Sequence, residues 1–200
     1  STIILSTRRW STMTHTERPS AADDVPRLPI VDRYGFKYWL RPIHPEDAPA
    51  LQRAYARMTP DDRHARLFAS IPALTDQAAL DFCTVGENET CLVLVSDGEP
   101  GEVLGGGRLM GTVGGASAEF AISMRSDLKG RGLGKALLQE LLELAPSMGV
   151  KRVWGSVLAT NTAMKLVAER LGFEAKRDPD DFRLLKLEWQ LDESQKPLAD

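Results

Sequence analysis

Arg125-Ser126-Asp127-Leu128-Lys129-Gly130-Arg131-Gly132-Leu133-Gly134-Lys135 is the stretch on which the reading of this sequence turns. Before it, Ser117–Met124 alternates in the manner of a strand. After it, Lys135–Leu144 carries apolar residues at 137, 138, 141, 142 and 145, one stripe of an amphipathic helix that Pro146 and Gly149 end. Glycines at alternate positions let backbone N–H groups converge without Cβ obstruction, and the helix behind adds its positive dipole end. Arg125, Lys129, Arg131 and Lys135 concentrate positive charge there. Strand, loop and helix in that order read as a pyrophosphate cradle; a glycine turn with solvated charges would not need the order.

Two phosphate motifs fail on this loop. The triphosphate pattern needs glycine at Lys129 and a hydroxyl at Ala136, and the dinucleotide pattern needs its third glycine at Lys135. No acidic residue ends the next strand, Val153–Leu158, to bind a ribose.

Outward from the loop the chain reads as one domain. Tyr38–Ile43 is a first strand stopped by Pro42, and helix starts follow at Pro45-Glu46-Asp47, Thr59-Pro60-Asp61-Asp62 and Thr75-Asp76. Thr90–Ser96, the glycine-broken Val103–Thr112 and Ser117–Met124 form an antiparallel meander. Beyond the amphipathic helix come a strand at Val153–Leu158, a helix at Asn161–Leu171 stopped by Gly172, and strands at Phe173–Lys176 and Phe182–Leu191. Residues 1–35 read as a flexible leader with Pro19, Pro26 and Pro29, residues 36–192 as the folded domain, and residues 193–200 as a tail. Ser1–Thr16, with Arg8 and Arg9 and no acid, has the look of a transit peptide; an extended start with Met13 as initiator is the preferred reading.

Composition narrows the function classes. With 25 basic and 28 acidic side chains the net charge of the 200-residue chain is −3, which gives no field for a phosphate backbone, so no nucleic-acid partner is expected. No apolar run approaches the roughly 20 residues of a membrane span, and no membrane partner is expected. Cys83 and Cys91 lack a CxxC spacing, and His15, His44 and His64 are scattered, so no metal is expected and a cytoplasmic location is.

Lys129-Gly130-Arg131-Gly132-Leu133-Gly134 resembles the loop of the GNAT superfamily of acetyl-CoA-dependent N-acetyltransferases, in which Gln or Arg is followed by two residues, Gly, one residue, and Gly or Ala. Asn161-Thr162-Ala163-Met164 through Gly172-Phe173 is similar to the family's second signature. More narrowly, Leu40–Asp47, Thr59–Arg63 and Ala118–Ala121 resemble the catalytic domain of bacterial Pat-type protein lysine acetyltransferases. The resemblance implies an α/β (α+β) GNAT fold: a mixed, largely antiparallel sheet of about seven strands flanked by helices and splayed at the cofactor site. It implies acetyl-CoA as co-substrate, held by Ile122, Ser123 and Met124, by Lys129, Gly130, Arg131, Gly132, Leu133, Gly134 and Lys135, and by Asn161. Lys129 departs from the family's Gln or Arg, and Ala168 stands where many members place a Tyr that protonates the leaving thiolate.

Acetyl transfer to an amine needs a base, because a lysine with pKa of about 10.4 is charged at neutral pH. Alternation places Glu119, Ala121 and Ser123 on one face of their strand and Phe120, Ile122 and Met124 on the other. Glu119, on the face of small residues, is the candidate, and it matches the position of the Pat-type catalytic glutamate; the competing reading pairs it with a cation such as Arg108. His64 reads as part of a solvated face, and Cys83 and Cys91 as packing residues. Function is thus read as acetyl transfer to a primary amine, a protein lysine ahead of a small amine, with a non-catalytic acyl-CoA-binding module as the alternative and a monomer or homodimer as the assembly. Glu46, Asp47, Asp61, Asp62, Asp76 and Asp81 offer an acidic rim to a cationic acceptor, although helix capping also accounts for them.

Overall fold

Every residue from Cys91 to Val95 is buried, on both faces of its strand, so protein must cover the sheet from both sides there. The computed structural model describes residues 27–62, 73–98 and 101–191. In chain order the elements are β1 (Leu28–Val31), β2 (Lys37–Pro42), α1 (Ala48–Ala56), α2 (Asp76–Cys83), β3 (Glu89–Ser96), β4 (Val103–Gly111), β5 (Ser117–Met124), α3 (Leu133–Leu144), β6 (Arg152–Leu158), α4 (Thr162–Arg170), β7 (Glu174–Arg177) and β8 (Leu184–Gln190). They build one eight-stranded sheet of order β1-β2-β3-β4-β5-β6-β8-β7. Neighbours are antiparallel except β5 and β6, which run parallel. This is the expected mixed, largely antiparallel sheet with flanking helices.

The additional strand is β1. Pro29 and the polar residues around it hide the alternation, so the sequence pattern assigns residues 27–35 to the leader; in the structure Leu28 is buried in the core and β1 pairs with β2 from Leu28↔Leu40 to Val31↔Lys37. Proline is tolerated because β1 is the sheet edge, where a missing N–H costs no ladder bond. Residues 1–26 and 193–200 lie outside the described residues, as does His64.

One layer packs Leu137, Leu138 and Leu141 of α3, with Ala168 of α4, on Leu40, Leu92, Leu94, Leu109 and Phe120. The opposite layer packs Ala54 of α1 and Cys83 of α2 on Ile43, Cys91, Val93 and Val95. The glycines of β4 do not break it. A Cβ on Gly107 would stand 2.7 Å from Leu141 Cδ1 and 3.2 Å from Leu137 Cγ, so bare backbone is what lets α3 settle this close to the sheet. The helix starts also follow chemistry: Thr75 Oγ1 accepts from the Ala78 N–H (3.1 Å), and Thr59 Oγ1 from the Asp62 N–H (3.3 Å).

Candidate active site

β5 and β6 pair only at Ser117↔Arg152, Ala118↔Val153 and Glu119↔Trp154; beyond that register the two strands part. The Phe120 ring sits against bare Gly155, where a Cβ would come within 2.6 Å of its Cε1, and meets Phe173 edge-on at 5.4 Å. Two bonds fix which backbone groups face the opening: Arg125 N–H donates to Leu104 O on the β4 side (2.8 Å), and Arg152 N–H donates to Ala116 O on the β6 side (3.0 Å). Alternation then directs N–H and C=O of Phe120, Ile122 and Met124 into the opening and those of Ser123 toward β4. Of the three strand residues expected at the cofactor, Ile122 and Met124 carry free backbone edge. Ser123 is committed to the β4 side, with its hydroxyl against Met58 Sδ at 3.4 Å.

The glycine loop follows directly. Gly130 (φ +72°) and Gly132 (φ +89°) occupy the left-handed region that favours glycine, and Gly132 caps α3, accepting from the Ala136 N–H (3.1 Å). A Cβ on Gly130, Gly132 or Gly134 would meet nothing within 4 Å, so the outside of the loop is open while the first turn of α3, carrying Leu133, Gly134 and Lys135, presents its N–H groups.

Three of the loop's four cations are already engaged. Arg125 binds Asp127 (2.7 Å) and Glu102 (3.1 Å), Lys129 is ion-paired with Asp62, and Arg131 binds Asp32 (3.1 Å). Lys135 has no partner among the described residues. Burial raises the Asp62 pKa, but Lys129, Ser126 and the Thr59 hydroxyl outweigh it and hold the carboxyl below the usual range. Burial likewise raises Asp32, and the Phe36 N–H, Arg131, the Tyr34 N–H and Tyr38 together bring it below that range. Loop charge is therefore largely neutralised from within, which leaves backbone N–H groups, the α3 terminus and Lys135 as the groups that could meet an anion.

Asn161 caps α4, its Oδ1 accepting from the Met164 N–H (3.1 Å), which leaves its amide NH2 without a partner among the described residues. Ala168 is 1% exposed within the core, and no phenol stands at that place. Glu119 lies on the α1 and α2 face of β5. Arg108, the cation weighed as its partner, instead donates to Glu89 (3.0 Å) and to the Phe82 carbonyl, and Glu119 has no hydrogen bond or ion pair among the described residues.

Other candidates separate clearly. Cys83 and Cys91 are buried and form no disulfide, and burial, followed by the Asp47 charge, pushes Cys83 up to about 11. Among the described residues no group of three His, Cys, Asp or Glu side chains could hold a metal ion. The acidic rim is smaller than expected: Asp47 is buried and accepts from both Arg41 terminal nitrogens (2.6 and 2.7 Å), and Asp62 belongs to Lys129. Asp32, inside the supposed leader, carries no sequence signal that would connect it to Arg131, a residue 99 positions on.

A strand edge left open inside a sheet of this order, with a glycine loop and a helix terminus at its end, is the arrangement of the GNAT acetyltransferase fold. The chain belongs to the GNAT family: residues 37–174 match the acetyltransferase (GNAT) domain, and the protein is an acetyltransferase. It is 31% identical over 146 residues to Acetyltransferase PA5475 of Pseudomonas aeruginosa, spanning 71% of this chain and 77% of that protein. It is 28% identical over 157 residues to acetyltransferase Pat of Mycolicibacterium smegmatis, spanning 78% of this chain and 46% of Pat, less than half that relative's length. The crystal structure of the GNAT domain of S. lividans PAT superposes with a TM-score of 0.74 at 26% identity, over 82% of this chain and 97% of that one. Among the described residues no helix is long and apolar enough to cross a membrane.

Proposed function

We propose that this chain transfers the acetyl group of acetyl-CoA to a primary amine by direct attack on the thioester, and that the acceptor is a protein lysine. The free edge of Ile122 and Met124 beside the glycine loop carries the reading. An extended arm with amide groups can pair with that edge as an added strand would, while its pyrophosphate meets the N–H groups at the start of α3. Acetyl-CoA, the family's co-substrate, has both parts. The Asn161 amide NH2, without a partner among the described residues, can donate to the same arm.

The chemistry asked of the protein is small. Glu119, unpaired among the described residues, takes a proton from the acceptor ammonium, directly or through water. The neutral amine forms its N–C bond to the acyl carbon, and the Met124 N–H donates to the oxygen that gains charge. The C–S bond breaks and the sulfur leaves as thiolate; the proton that the nitrogen sheds on becoming an amide passes through water to that sulfur, since Ala168 offers no acid.

Similarity to Pat supports a protein acceptor. The engagement of Asp47 and Asp62 with Arg41 and Lys129 removes two charges from the acidic rim and weakens the charge argument for a protein lysine and for the second reading, a small amine, alike. Two buried cysteines that form no disulfide support a cytoplasmic location. The deciding experiment incubates lysate proteins with the enzyme and labelled acetyl-CoA beside a panel of small amines, with Glu119→Gln as control. Lysine labelling well above the control is expected. Efficient turnover of one small amine with protein labelling at control level would replace the acceptor, and acetyl-CoA binding without turnover on any amine would leave a binding module.

A further inference from the structure

The turn between β1 and β2 is built outward from a buried charge. The Asp32 carboxylate, with its side chain 0% exposed, accepts from the N–H groups of Tyr34 and Phe36 (2.9 Å each), from the Tyr38 hydroxyl (3.1 Å) and from Arg131 Nη1 (3.1 Å). The Arg33 N–H donates to the Arg131 carbonyl (3.2 Å). The turn is thereby fastened to the loop residue that lies between Gly130 and Gly132. Tyr34 and Phe36 do not join the core; they stand 65% and 60% exposed, with their ring centroids 5.6 and 5.5 Å from the Arg131 guanidinium. Two large rings held outward on a rigid turn are surface made for stacking rather than for folding.

We propose that this turn seats the adenine ring of the co-substrate, with Tyr34 and Phe36 as its stacking platform. The inference rests on the acetyl-CoA reading above. Continuity identifies the occupant: the pyrophosphate seat at Gly132 and Gly134 and the aromatic turn share Arg131, and in the ligand a single ribose separates pyrophosphate from base. Charge agrees, because Arg33, 6.0 Å from the Tyr34 ring centroid, and Arg131 place two cations beside the rings, where the ribose carries its 3′-phosphate. A protein acceptor would need none of this next to the phosphate loop.

The test measures equilibrium binding of acetyl-CoA and of acetyl-4′-phosphopantetheine, which keeps the thioester arm and lacks the adenosine. The proteins are the wild type, Tyr34→Ala/Phe36→Ala and Tyr34→Trp/Phe36→Trp. We expect the alanine pair to weaken acetyl-CoA about tenfold, in the range of one lost stacked base, and to leave the shorter ligand unchanged. The tryptophan pair, which keeps a platform, restores acetyl-CoA binding and rules out misfolding as the cause. Equal weakening of both ligands, no weakening of either, or a loss confined to turnover of the protein acceptor would overturn the proposal. A wild type that binds no acetyl-CoA would instead overturn the functional reading beneath it.

Discussion

The ammonium of Lys129 is held by the carboxylate of Asp62, so the residue at the head of the glycine loop is tied to the segment that follows α1. The Ser126 hydroxyl donates to the same carboxylate and accepts from the Thr59 N–H (2.9 Å), which makes the tie a small network rather than a lone surface pair. Under the proposed function, a pyrophosphate on the loop would recruit Lys129 only in competition with Asp62. Asp62→Asn is therefore expected to tighten acetyl-CoA roughly twofold to fivefold, the equivalent of an exposed ion pair, with the gain shrinking as salt rises. Because Asp62 titrates below the ordinary carboxylate range, the pair persists at pH 5 and is lost only as pH falls through that lowered value. Titration calorimetry at two salt concentrations checks this; weaker binding in the variant would assign Asp62 to the site itself.

Glu119→Gln should lower kcat by about 100-fold, within the usual contribution of a positioned base, and leave acetyl-CoA affinity near wild type. The carboxylate sits on the α1 and α2 face, apart from the loop and from Asn161. Raising pH should recover part of the rate, since free amine then arises without help. Thiol release followed from pH 7 to 10 is the measurement, and an unchanged rate throughout would remove Glu119 from the reaction.

The loop glycines should split into two kinds. Gly132→Ala forces a side chain into φ +89° and is expected to cost about 1 kcal/mol or more of stability along with ligand binding. Gly134, inside α3 at an ordinary helical angle, should accept alanine with equal or higher Tm and still lose acetyl-CoA affinity at least several-fold, because the new methyl occupies the open face. Paired melting curves and binding isotherms separate the two.

Gly155→Ala drives a Cβ into the Phe120 ring. Overpacking of this kind costs roughly 1–3 kcal/mol, and a drop in Tm of roughly 2–12 °C is expected. Phe120→Leu in the same chain should return most of the loss by making room; no return would mean that the ring is not what Gly155 accommodates.

Burial that holds Cys83 up at about 11 leaves about one thiolate in a thousand at pH 8. Iodoacetamide at that pH should spare Cys83 in the native protein and modify it in urea, as read by peptide mass spectrometry. Rapid native labelling would reopen a thiol role.

Much of this was legible in the residues. The α3 stripe, the meander and the loop have strong local periodicities, and alternation gives the face on which Glu119 stands, whereas Asn161 and the role of Glu119 are marked by the family resemblance and by no local period. What was not legible lay in long-range pairing. Pro29 disguised β1, and nothing local says that Asp32 reaches Arg131 or Asp62 reaches Lys129. Those bonds reverse a sequence inference: four clustered cations read as free positive charge, yet three are spent on carboxylates from other segments. Similarly, Gly107 of β4 reads as an interruption because its purpose, clearance for Leu141, belongs to a helix in a different layer.

The order of strands in the sheet also decides where this protein can be cut. The family match runs from residue 37 to residue 174, whereas β1 lies before it and β8, after it, is wedged between β6 and β7. A fragment trimmed to the matched span would lose the strand that closes the far side of β6, stripping Gly155 and its neighbours of their partners from Leu184 to Gln190. It would also lose Asp32, leaving Arg131 a charged side chain with no acid to meet. The smallest piece worth expressing therefore begins before Leu28 and ends after Gln190.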